Sequence, residues 1–314
     1  MIEEAGRILL VSHVAPDGDA IGSLLGLGWL LDQQGKEYTL ACQDRVPDSY
    51  FFLPGSRQIV HQVEGTYDLV ISLDCSDRYR MGTVMNDGLA DLPLINIDHH
   101  VTNTGFGAVN WVDPATVSTS QMVLILADAL GWKVTPQVAV CLLNGLVTDT
   151  RSFRTANVDA AAMRAALRLM EAGASLSQIT RQALEQRPLA SVRLWGEAIA
   201  RMQTRDGLLW TWVTAAMRLR WNLGLEDASG LANFLSGIRE ARIVIVFTER
   251  EEGTVDVSMR AAPDLDVAQV ALRLGGGGHP QAAGCTLEGD PAEIERRVLA
   301  EVGPIVGGQG VGGP

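Results

Sequence analysis

The first half of the chain alternates short apolar runs with longer segments in which apolar residues recur at helical spacing. The short runs predict β-strands and the longer segments predict helices. The predicted strands are Ile8–Ser12, Glu37–Ala41, Leu69–Leu73 and Leu94–Ile97. The predicted helices are Ala20–Gln34, Ser120–Leu130, Gln137–Leu146 and Asp159–Glu171. Such alternation is typical of an α/β domain with a parallel sheet covered on both faces, which is a Rossmann-like layout.

A different pattern follows a charged helical stretch at Leu184–Arg205. The predicted elements there are strands Leu208–Val213, Arg242–Thr248 and Thr254–Met259, and helices Gly230–Arg239 and Ala268–Leu274. The last two strands favour a hairpin with a polar turn. We therefore predict a first domain over residues 1–187, a smaller mixed α+β domain over 188–306, and a glycine-rich, disordered tail over 307–314.

Composition narrows the class of protein. Hydrophobic residues make up 47% of the chain, and no apolar run reaches the roughly 18 residues of a membrane span. The N-terminus carries Glu3 and Glu4 where an export signal would be basic. The four cysteines form no C-x-x-C pair, which favours reduced thiols in a cytoplasmic protein. The formal net charge of −12 argues against binding duplex nucleic acid, yet it allows a short nucleotide held in a cleft.

The first group of chemically active residues is His13-Val-Ala-Pro-Asp17-Gly-Asp19, between the first predicted strand and the first helix. This position is the carboxyl edge of the sheet, where open α/β proteins bind ligands. Gly18 allows the backbone to bend between the two aspartates. A mixed imidazole and carboxylate set suits Mn²⁺, Mg²⁺ or a similar divalent ion. The simpler alternative is an Asp-Gly turn in which Asp19 caps the helix.

Two further predicted strands end in the same kinds of side chain. Asp74 ends one strand, and Asp98, His99 and His100 end another. Three of the five histidines in the chain lie at predicted strand ends, which chance placement explains poorly. Asp149, just beyond an apolar helix, would complete the ligands of two cations that Asp74 bridges. Taken singly, each aspartate is explained as well by a turn or a helix end.

These segments resemble motifs one to four of the DHH phosphoesterase superfamily, and the resemblance extends over almost the whole chain. The corresponding segments are His13–Asp19, Asp74, Asp98-His99-His100 and Thr148-Asp149-Thr150. The resemblance implies two divalent ions, with Mn²⁺ expected first and Mg²⁺ or Co²⁺ as alternatives. The implied ligands are His13, Asp17 and Asp74 for one ion, and Asp19, Asp74, His99 and Asp149 for the other. Asp98 and His100 would then orient a ligand or face the phosphate.

The second domain contains a glycine run, Gly275-Gly-Gly-Gly-His279, followed by Pro-Gln-Ala-Ala-Gly284. Glycine N–H groups can approach an anion closely, although a flexible loop is the simpler interpretation. The segment resembles the glycine-histidine motif of the DHH-associated C-terminal domain, which binds the rest of the substrate. The substrate contacts that this implies are Gly276, Gly277, Gly278, His279, Arg260 and, in the loop after Asp74, Arg80. A surface position on a strand is the alternative for Arg260.

Two positions depart from the family pattern. Arg151 stands where a glycine is expected after the Asp-Thr of the fourth motif, and Gln121 stands where glutamate is frequent. Neither residue is among the implied metal ligands, so the predicted centre is unaffected. Arg151 is expected to alter the shape of the substrate pocket.

The resemblance implies hydrolysis of a phosphate ester. It makes residues 1–187 the metal-binding catalytic domain and 188–306 the substrate-binding domain. Within the family, the chain is most similar to oligoribonucleases that degrade nanoRNA and dephosphorylate 3′-phosphoadenosine 5′-phosphate, and a homodimer without membrane association is expected by analogy. The alternative in the same class is a soluble phosphodiesterase of cyclic di-AMP or pApA. The alternative from another class is a non-catalytic nucleotide-binding sensor.

Overall fold

The computed structural model describes residues 1–85, 87–250 and 253–306. The chain divides into two compact units, Met1–Gln186 and a second that begins at Arg187. Each unit has hydrophobic clusters of its own. The tail predicted at 307–314 lies outside the described residues, as do positions 251–252 of the predicted hairpin turn.

The first unit is built on a five-stranded parallel sheet with the strand order β2-β1-β3-β4-β5. Its strands are β1 Arg7–Val11, β2 Glu37–Ala41, β3 Leu69–Leu73, β4 Leu94–Asp98 and β5 Val109–Val112. The first four agree with the predicted strands to within a residue at each end. The sequence pattern missed β5 because this strand is short and partly exposed.

Among the described residues of the first unit there are also five α-helices, and each begins after a polar residue whose side chain accepts a hydrogen bond from the first turn. They are α1 Gly18–Gln33, α2 Thr119–Ala129, α3 Pro136–Asp149, α4 Ala160–Glu171 and α5 Leu176–Thr180. Their N-caps are Asp17, Ser118, Thr135, Asp159 and Ser175. The predicted helix Gln137–Leu146 therefore extends three residues further and includes Asp149.

The two faces of this sheet are covered differently. Leu10 and Ile71 belong to the cluster that contains the apolar faces of the α-helices. On the other face, Val70 packs in a second cluster with Met81 and Leu89, which come from 3₁₀ turns between β3 and β4. The Rossmann-like prediction is confirmed, but one face is covered by short turns rather than by α-helices.

Helices α1 and α3 pack unusually closely, and this packing determines where Asp149 lies. A Cβ atom on Gly22 would lie 2.6 Å from the Cys141 carbonyl oxygen, and one on Gly18 would lie 2.4 Å from the Thr148 side chain. The helices are antiparallel, so the last turn of α3 lies beside the first turn of α1. Asp149 is thereby brought to the carboxyl edge of the sheet.

The second unit contains a six-stranded mixed sheet in the order β10-β11-β9-β8-β7-β6, where only β7 and β8 pair in parallel. Its strands are β6 Gln203–Arg205, β7 Leu208–Val213, β8 Ile243–Glu249, β9 Thr254–Ala261, β10 Gly277–His279 and β11 Ala282–Glu288. Its helices are α6 Leu189–Ala200, α7 Ala215–Trp221, α8 Leu231–Leu235, α9 Ala268–Arg273 and α10 Pro291–Val306. The antiparallel pairing of β8 with β9 confirms the predicted hairpin.

Some predictions for this unit were wrong in extent. The helix predicted at Gly230–Arg239 is only the five-residue α8. The helical stretch predicted at Leu184–Arg205 contains a π turn, then α6 and then β6. None of the described helices is both long enough and apolar enough to cross a membrane.

Candidate metal centre

The residues predicted at strand ends meet at the carboxyl edge of the parallel sheet. His13 lies two residues beyond β1, Asp74 directly follows β3, and His99 directly follows β4. Helix ends supply the remaining carboxylates. They are Asp17 as the N-cap of α1, Asp19 in its first turn and Asp149 as the last residue of α3. The structure therefore brings all six predicted metal ligands to one place.

The first group of donor atoms is formed by His13, Asp17 and Asp74, whose ligand atoms lie within 4.8 Å of one another. His13 Nε2 is 3.8 Å from Asp17 Oδ1 and 3.5 Å from Asp74 Oδ2. Donor atoms bound at about 2.1 Å to a common ion lie about 3 Å apart, so a small inward adjustment would suffice. The other ring nitrogen, His13 Nδ1, is 2.8 Å from the Val14 carbonyl oxygen, which leaves Nε2 facing the carboxylates.

The second group is formed by Asp19, His99 and Asp149. His99 Nε2 is 3.4 Å from Asp149 Oδ2 and 3.6 Å from Asp74 Oδ1. Burial lowers the pKa of His99, so its imidazole is neutral and able to bind a cation. Asp74 thus directs one carboxylate oxygen toward each group, which is the arrangement of a bridging ligand.

Asp74 also has an unusual backbone. Its φ of 63° lies in the left-handed region, which costs a non-glycine residue about 1 kcal/mol or more. Such residues persist where the surroundings hold them, and they cluster at functional sites. The Asp74 N–H donates to the Ile97 carbonyl at 3.0 Å, which ties this strand end to the neighbouring one.

The beginning of α2 contacts two of these carboxylates, and the sequence analysis missed this. Thr119 Oγ1 donates to Asp74 Oδ1 at 2.8 Å. The backbone N–H groups of Thr119 and Ser120 donate to the two oxygens of Asp19 at 2.6 and 2.9 Å. The signal available in the sequence was Ser118 before an apolar helix, which is a typical N-cap.

Gln121, one of the departures from the family pattern, stabilises this helix start. Its N–H donates to Ser118 Oγ, and its Oε1 accepts from the Val117 N–H at 3.0 Å. A glutamate in a capping box makes the same kind of reciprocal contact. Glutamine at this position, where glutamate is frequent in the family, therefore still holds the start of α2 in place.

Asp98 and His100 form a hydrogen-bonded pair beside the metal ligands. His100 Nδ1 is 2.7 Å from Asp98 Oδ1, and Asn103 donates to the other Asp98 oxygen at 2.6 Å. Although burial opposes it, this contact and the charge of Asp74 raise the pKa of His100 to about 9. Asn103 is a second residue that sequence reasoning missed, because it lies in an irregular loop without a recognisable pattern.

The electrostatic interactions among the carboxylates and imidazoles of the centre favour the binding of a cation. Burial by itself would lower the pKa of His13, but hydrogen bonds and charge interactions with Asp17 and Asp74 raise it to about 10. Burial and the charge of Asp74 raise the pKa of Asp19, and burial together with neighbouring carboxylates raises that of Asp149. Crowded, buried carboxylates of this kind are stabilised by positive charge.

The loop with Arg80 borders the centre through its backbone. The Arg80 carbonyl oxygen accepts from the Val14 N–H at 2.7 Å, which ties this loop to the first motif. Arg80 N–H in turn donates to Asp77, the N-cap of a 3₁₀ turn. A substrate contact of the Arg80 guanidinium stays a prediction.

In the second unit, the predicted substrate residues Arg260 and His279 are in register on β9 and β10, the two strands that flank β11. His279 pairs with Ala282 across β10 and β11, and Ala282 pairs with Arg260 across β11 and β9. Directly paired residues project from the same face of an antiparallel sheet. The Arg260 guanidinium is held by Asn233 Oδ1 at 2.5 Å and by the Met259 carbonyl at 2.8 Å.

The glycine run does not form the flexible loop that was the alternative interpretation. Gly277 and Gly278 belong to strand β10 rather than to a loop. The Gly276 N–H already donates to the Ala271 carbonyl at 2.7 Å, so it is engaged within the fold. A Cβ atom on Gly276 would lie 2.1 Å from the Gly284 carbonyl oxygen. Close packing therefore explains glycine at this position.

Comparisons with known proteins agree with this geometry. The sequence profile of the DHH family N-terminal domain matches residues 7–146, and that of the DHHA1 domain matches residues 212–308. A curated protein of Thermus thermophilus, "Bifunctional oligoribonuclease and PAP phosphatase NrnA", is 38% identical over 95% of this chain and 89% of its own length. The chain belongs to the DHH family. A protein of the same name from Bacillus subtilis is 28% identical over 94% of this chain and 93% of its own length.

A solved structure supports the same assignment. The crystal structure of an exopolyphosphatase-related protein from Bacteroides fragilis matches with a TM-score of 0.89 and 26% identity, covering 98% of this chain and 95% of that one. As a DHH family member, the chain is a phosphoesterase that depends on divalent metal ions. The imidazole and carboxylate donors described above fit such ions.

Arg151 departs from the DHH pattern in residue type but keeps a glycine-like backbone. Arg151, Ser152 and Phe153 have φ values of 51°, 62° and 61°. Thr150 holds this left-handed turn by accepting from Phe153 N at 2.9 Å and from Arg154 N at 2.8 Å. The turn expected for glycine is thus present, and it carries a half-buried guanidinium directly after the Asp-Thr of the fourth motif.

Proposed function

We propose that this DHH enzyme hydrolyses short oligonucleotides to mononucleotides and also converts 3′-phosphoadenosine 5′-phosphate to AMP. The observation that carries the proposal is the pair of neighbouring donor groups, with one Asp74 oxygen facing His13 of the first and the other facing His99 of the second, in a chain that is 38% identical to a protein named for both activities. The proposed ligands are His13, Asp17 and Asp74 for one ion, and Asp19, Asp74, His99 and Asp149 for the other.

Two divalent ions, when bound, activate water and neutralise the charge that develops on the phosphoryl group. The residues of the chain position these ions and the phosphate. Asp74 would hold both ions, because one of its carboxylate oxygens faces His13 and the other faces His99. His100 is hydrogen-bonded to Asp98 through Nδ1, and we propose that it contacts a phosphate oxygen or the leaving group. We propose Mn²⁺ as the ion, with Mg²⁺ or Co²⁺ as substitutes.

The far end of the substrate is assigned to the DHHA1 domain. Arg260 and His279 project from one face of the sheet, and a guanidinium makes charge-assisted hydrogen bonds to phosphate. Gly277 and Gly278 lie on the same strand as His279 and allow close approach of an anion. Arg80 is proposed to neutralise charge beside the ions. We further propose a homodimer, which light scattering of the purified protein can test.

The cellular compartment of the protein is inferred from the state of its cysteines. Cys42, Cys75, Cys141 and Cys285 are free and buried. Reduced thiols are typical of the cytoplasm. We propose the cytoplasm as the site of action.

The length of the substrate provides the main test. A series of 5′-labelled oligoribonucleotides from two to about twenty residues is incubated with the Mn²⁺-loaded enzyme. We expect the highest kcat/KM on chains of two to a few nucleotides, because a net charge of −12 disfavours the binding of a long polyanion. Equal rates on long and short chains would contradict the proposal.

A second assay separates the alternatives. Cyclic di-AMP, pApA and 3′-phosphoadenosine 5′-phosphate are compared side by side at equal concentration with Mn²⁺. Faster turnover of cyclic di-AMP or pApA than of the other substrates would favour the cyclic dinucleotide alternative. Tight binding of these nucleotides with no turnover of any would favour the sensor.

A further inference from the structure

We infer that Thr119 is a positioning residue that fixes the plane of the Asp74 carboxylate, so that its two oxygens face different metal ions. The inference rests on the proposed two-metal function and assigns a role to a residue outside the four motifs. Thr119 is the first residue of α2, and its contact with Asp74 joins residues 45 positions apart in the chain.

The hydrogen bond between Thr119 and Asp74 is buried, and it involves one of the two carboxylate oxygens, Oδ1. Thr119 and Asp74 are 0% and 2% exposed, so water does not compete for the hydrogen bond. Thr119 Oγ1 donates to Asp74 Oδ1 at 2.8 Å, on the side that faces His99 at 3.6 Å. Asp74 Oδ2 faces His13 at 3.5 Å on the other side. A rotation of the carboxylate about its Cβ–Cγ bond would break this division.

The Asp74 carboxylate needs such a constraint because its χ2 torsion, about the Cβ–Cγ bond, has only broad rotamer minima. The Thr119 hydroxyl supplies one directional donor to one oxygen and leaves that oxygen a further lone pair for a cation. Partners of this kind orient ligating carboxylates, and losing them typically costs 10–100-fold in metal affinity or activity.

The hydrogen bond from the Thr119 side chain to Asp74 can be tested separately from the backbone hydrogen bonds that the same turn makes to Asp19. Asp19 is held by the backbone N–H groups of Thr119 and Ser120, and a side-chain substitution leaves these groups in place. Thr119→Val is nearly isosteric with threonine and removes only the hydroxyl. Its effect should therefore fall on Asp74 Oδ1, which faces the ion proposed to bind Asp19, His99 and Asp149.

The experiment compares the wild type with Thr119→Val, Thr119→Ser and a matched control, Thr211→Val. Thr211 is also buried, at 1% exposed, and its Oγ1 donates to the Ala198 carbonyl in the second unit. Mn²⁺ binding is measured by calorimetric titration, and coupling between the ions is measured by electron paramagnetic resonance. Melting temperatures of the metal-free proteins report on folding.

For Thr119→Val, we expect one ion to bind 10–100-fold more weakly and the spin-coupled pair signal to diminish. Thr119→Ser retains the hydroxyl and should bind both ions as the wild type does. Thr211→Val should lose stability but retain both affinities and the pair signal. If Thr119→Val does not fold, Thr119→Ala replaces it with the same expectation.

Wild-type affinities and an unchanged pair signal in the folded valine or alanine variant would overturn the inference. An equal loss in Thr119→Ser would also overturn it, because the hydroxyl would not be the cause. Failure of the wild-type protein itself to bind two Mn²⁺ ions would instead refute the two-metal proposal. The two failures are therefore distinguishable.

Discussion

At the scale of single residues, Asp74 is the most constrained part of the centre. It follows a buried strand, has φ in the left-handed region, and lies within 3.7 Å of three imidazoles through its two oxygens. Its pKa is held below the ordinary value against burial by the hydrogen bond with His13 and the neighbouring imidazole charges. An ionised carboxylate in this position can serve two cations.

Replacing Asp74 with asparagine keeps the size of the side chain and removes its charge. We expect the Asp74→Asn variant to lose more than about 100-fold in kcat/KM and to bind both Mn²⁺ ions weakly, because both sites lose the shared carboxylate. Steady-state kinetics and Mn²⁺ titration measure this. Asp32→Asn, on the exposed side of α1, is the control and should behave as the wild type. Near-normal activity of Asp74→Asn would refute the shared-ligand assignment.

The raised pKa of His13 predicts that metal affinity depends on pH. In the metal-free protein, a pKa of about 10 keeps His13 protonated at neutral pH, so binding an ion at Nε2 must release a proton. Apparent affinity for Mn²⁺ should therefore rise with pH up to about that value. The raised pKa values of Asp19 and Asp149 act in the same direction.

Calorimetric titration at pH 6 to 8, in two buffers of different ionisation enthalpy, counts the protons released. We expect roughly a tenfold gain in affinity per pH unit for each proton displaced. A flat affinity with no proton release over this range would contradict the predicted protonation of His13.

At the scale of the elements, the close packing of α1 against α3 determines the shape of the centre. A Cβ atom on Gly22 would lie 2.6 Å from the Cys141 carbonyl, and one on Gly145 would lie 2.3 Å from Asp19 Oδ1. The Cys141 carbonyl is a backbone atom and cannot move aside, and the Asp19 carboxylate is held by the N–H groups of Thr119 and Ser120. These glycines therefore permit the helix spacing that places Asp149 beside Asp19.

The Gly22→Ala variant tests this packing. We expect a loss of about 1–3 kcal/mol in the free energy of unfolding, because the added methyl group overpacks the helix interface. Urea denaturation measures it. The control is Gly196→Ala on α6, where a Cβ atom meets nothing within 4 Å. That variant should gain up to about 1 kcal/mol from helix propensity. Equal effects of the two substitutions would exclude close packing as the cause.

At the scale of the whole molecule, two separate units carry the predicted chemistry. Every proposed metal ligand lies in the unit Met1–Gln186, whereas Arg260 and His279 lie in the unit that begins at Arg187. A net charge of −12 over the chain is compatible with a short, enclosed substrate and unfavourable for a long polyanion. Because all the proposed ligands lie in the first unit, metal binding is expected to stabilise that unit directly.

Removing divalent ions should lower the stability of that unit. At free Mn²⁺ equal to 100 times Kd, one bound ion adds about 2.7 kcal/mol, which corresponds to roughly 5–10 °C in melting temperature. Differential scanning calorimetry with chelator, and then with Mn²⁺ restored, measures the change. An Asp149→Asn variant serves as the control and should show a smaller shift. An unchanged melting temperature on chelation would contradict the metal centre.

The sequence alone determined most of the strands and helices and the candidate ligands of this protein. Apolar periodicity is a local property, so Glu37–Ala41 and Leu69–Leu73 were predicted at their observed bounds. Parallel strands bring their carboxyl ends to one edge, so polar residues after successive strands predict a common site. His13, Asp74 and His99 could be assigned in this way.

Tertiary structure decided the contacts between residues far apart in the chain. The hydrogen bond from Thr119 to Asp74 depends on the approach of α2 to β3, which no local pattern encodes. The close approach of Gly276 to the Gly284 carbonyl oxygen likewise follows from the pairing of β10 with β11, and it gives the glycine run a packing role that the sequence did not reveal. Periodicity reports which face of an element is buried, whereas only packing fixes which buried atoms meet.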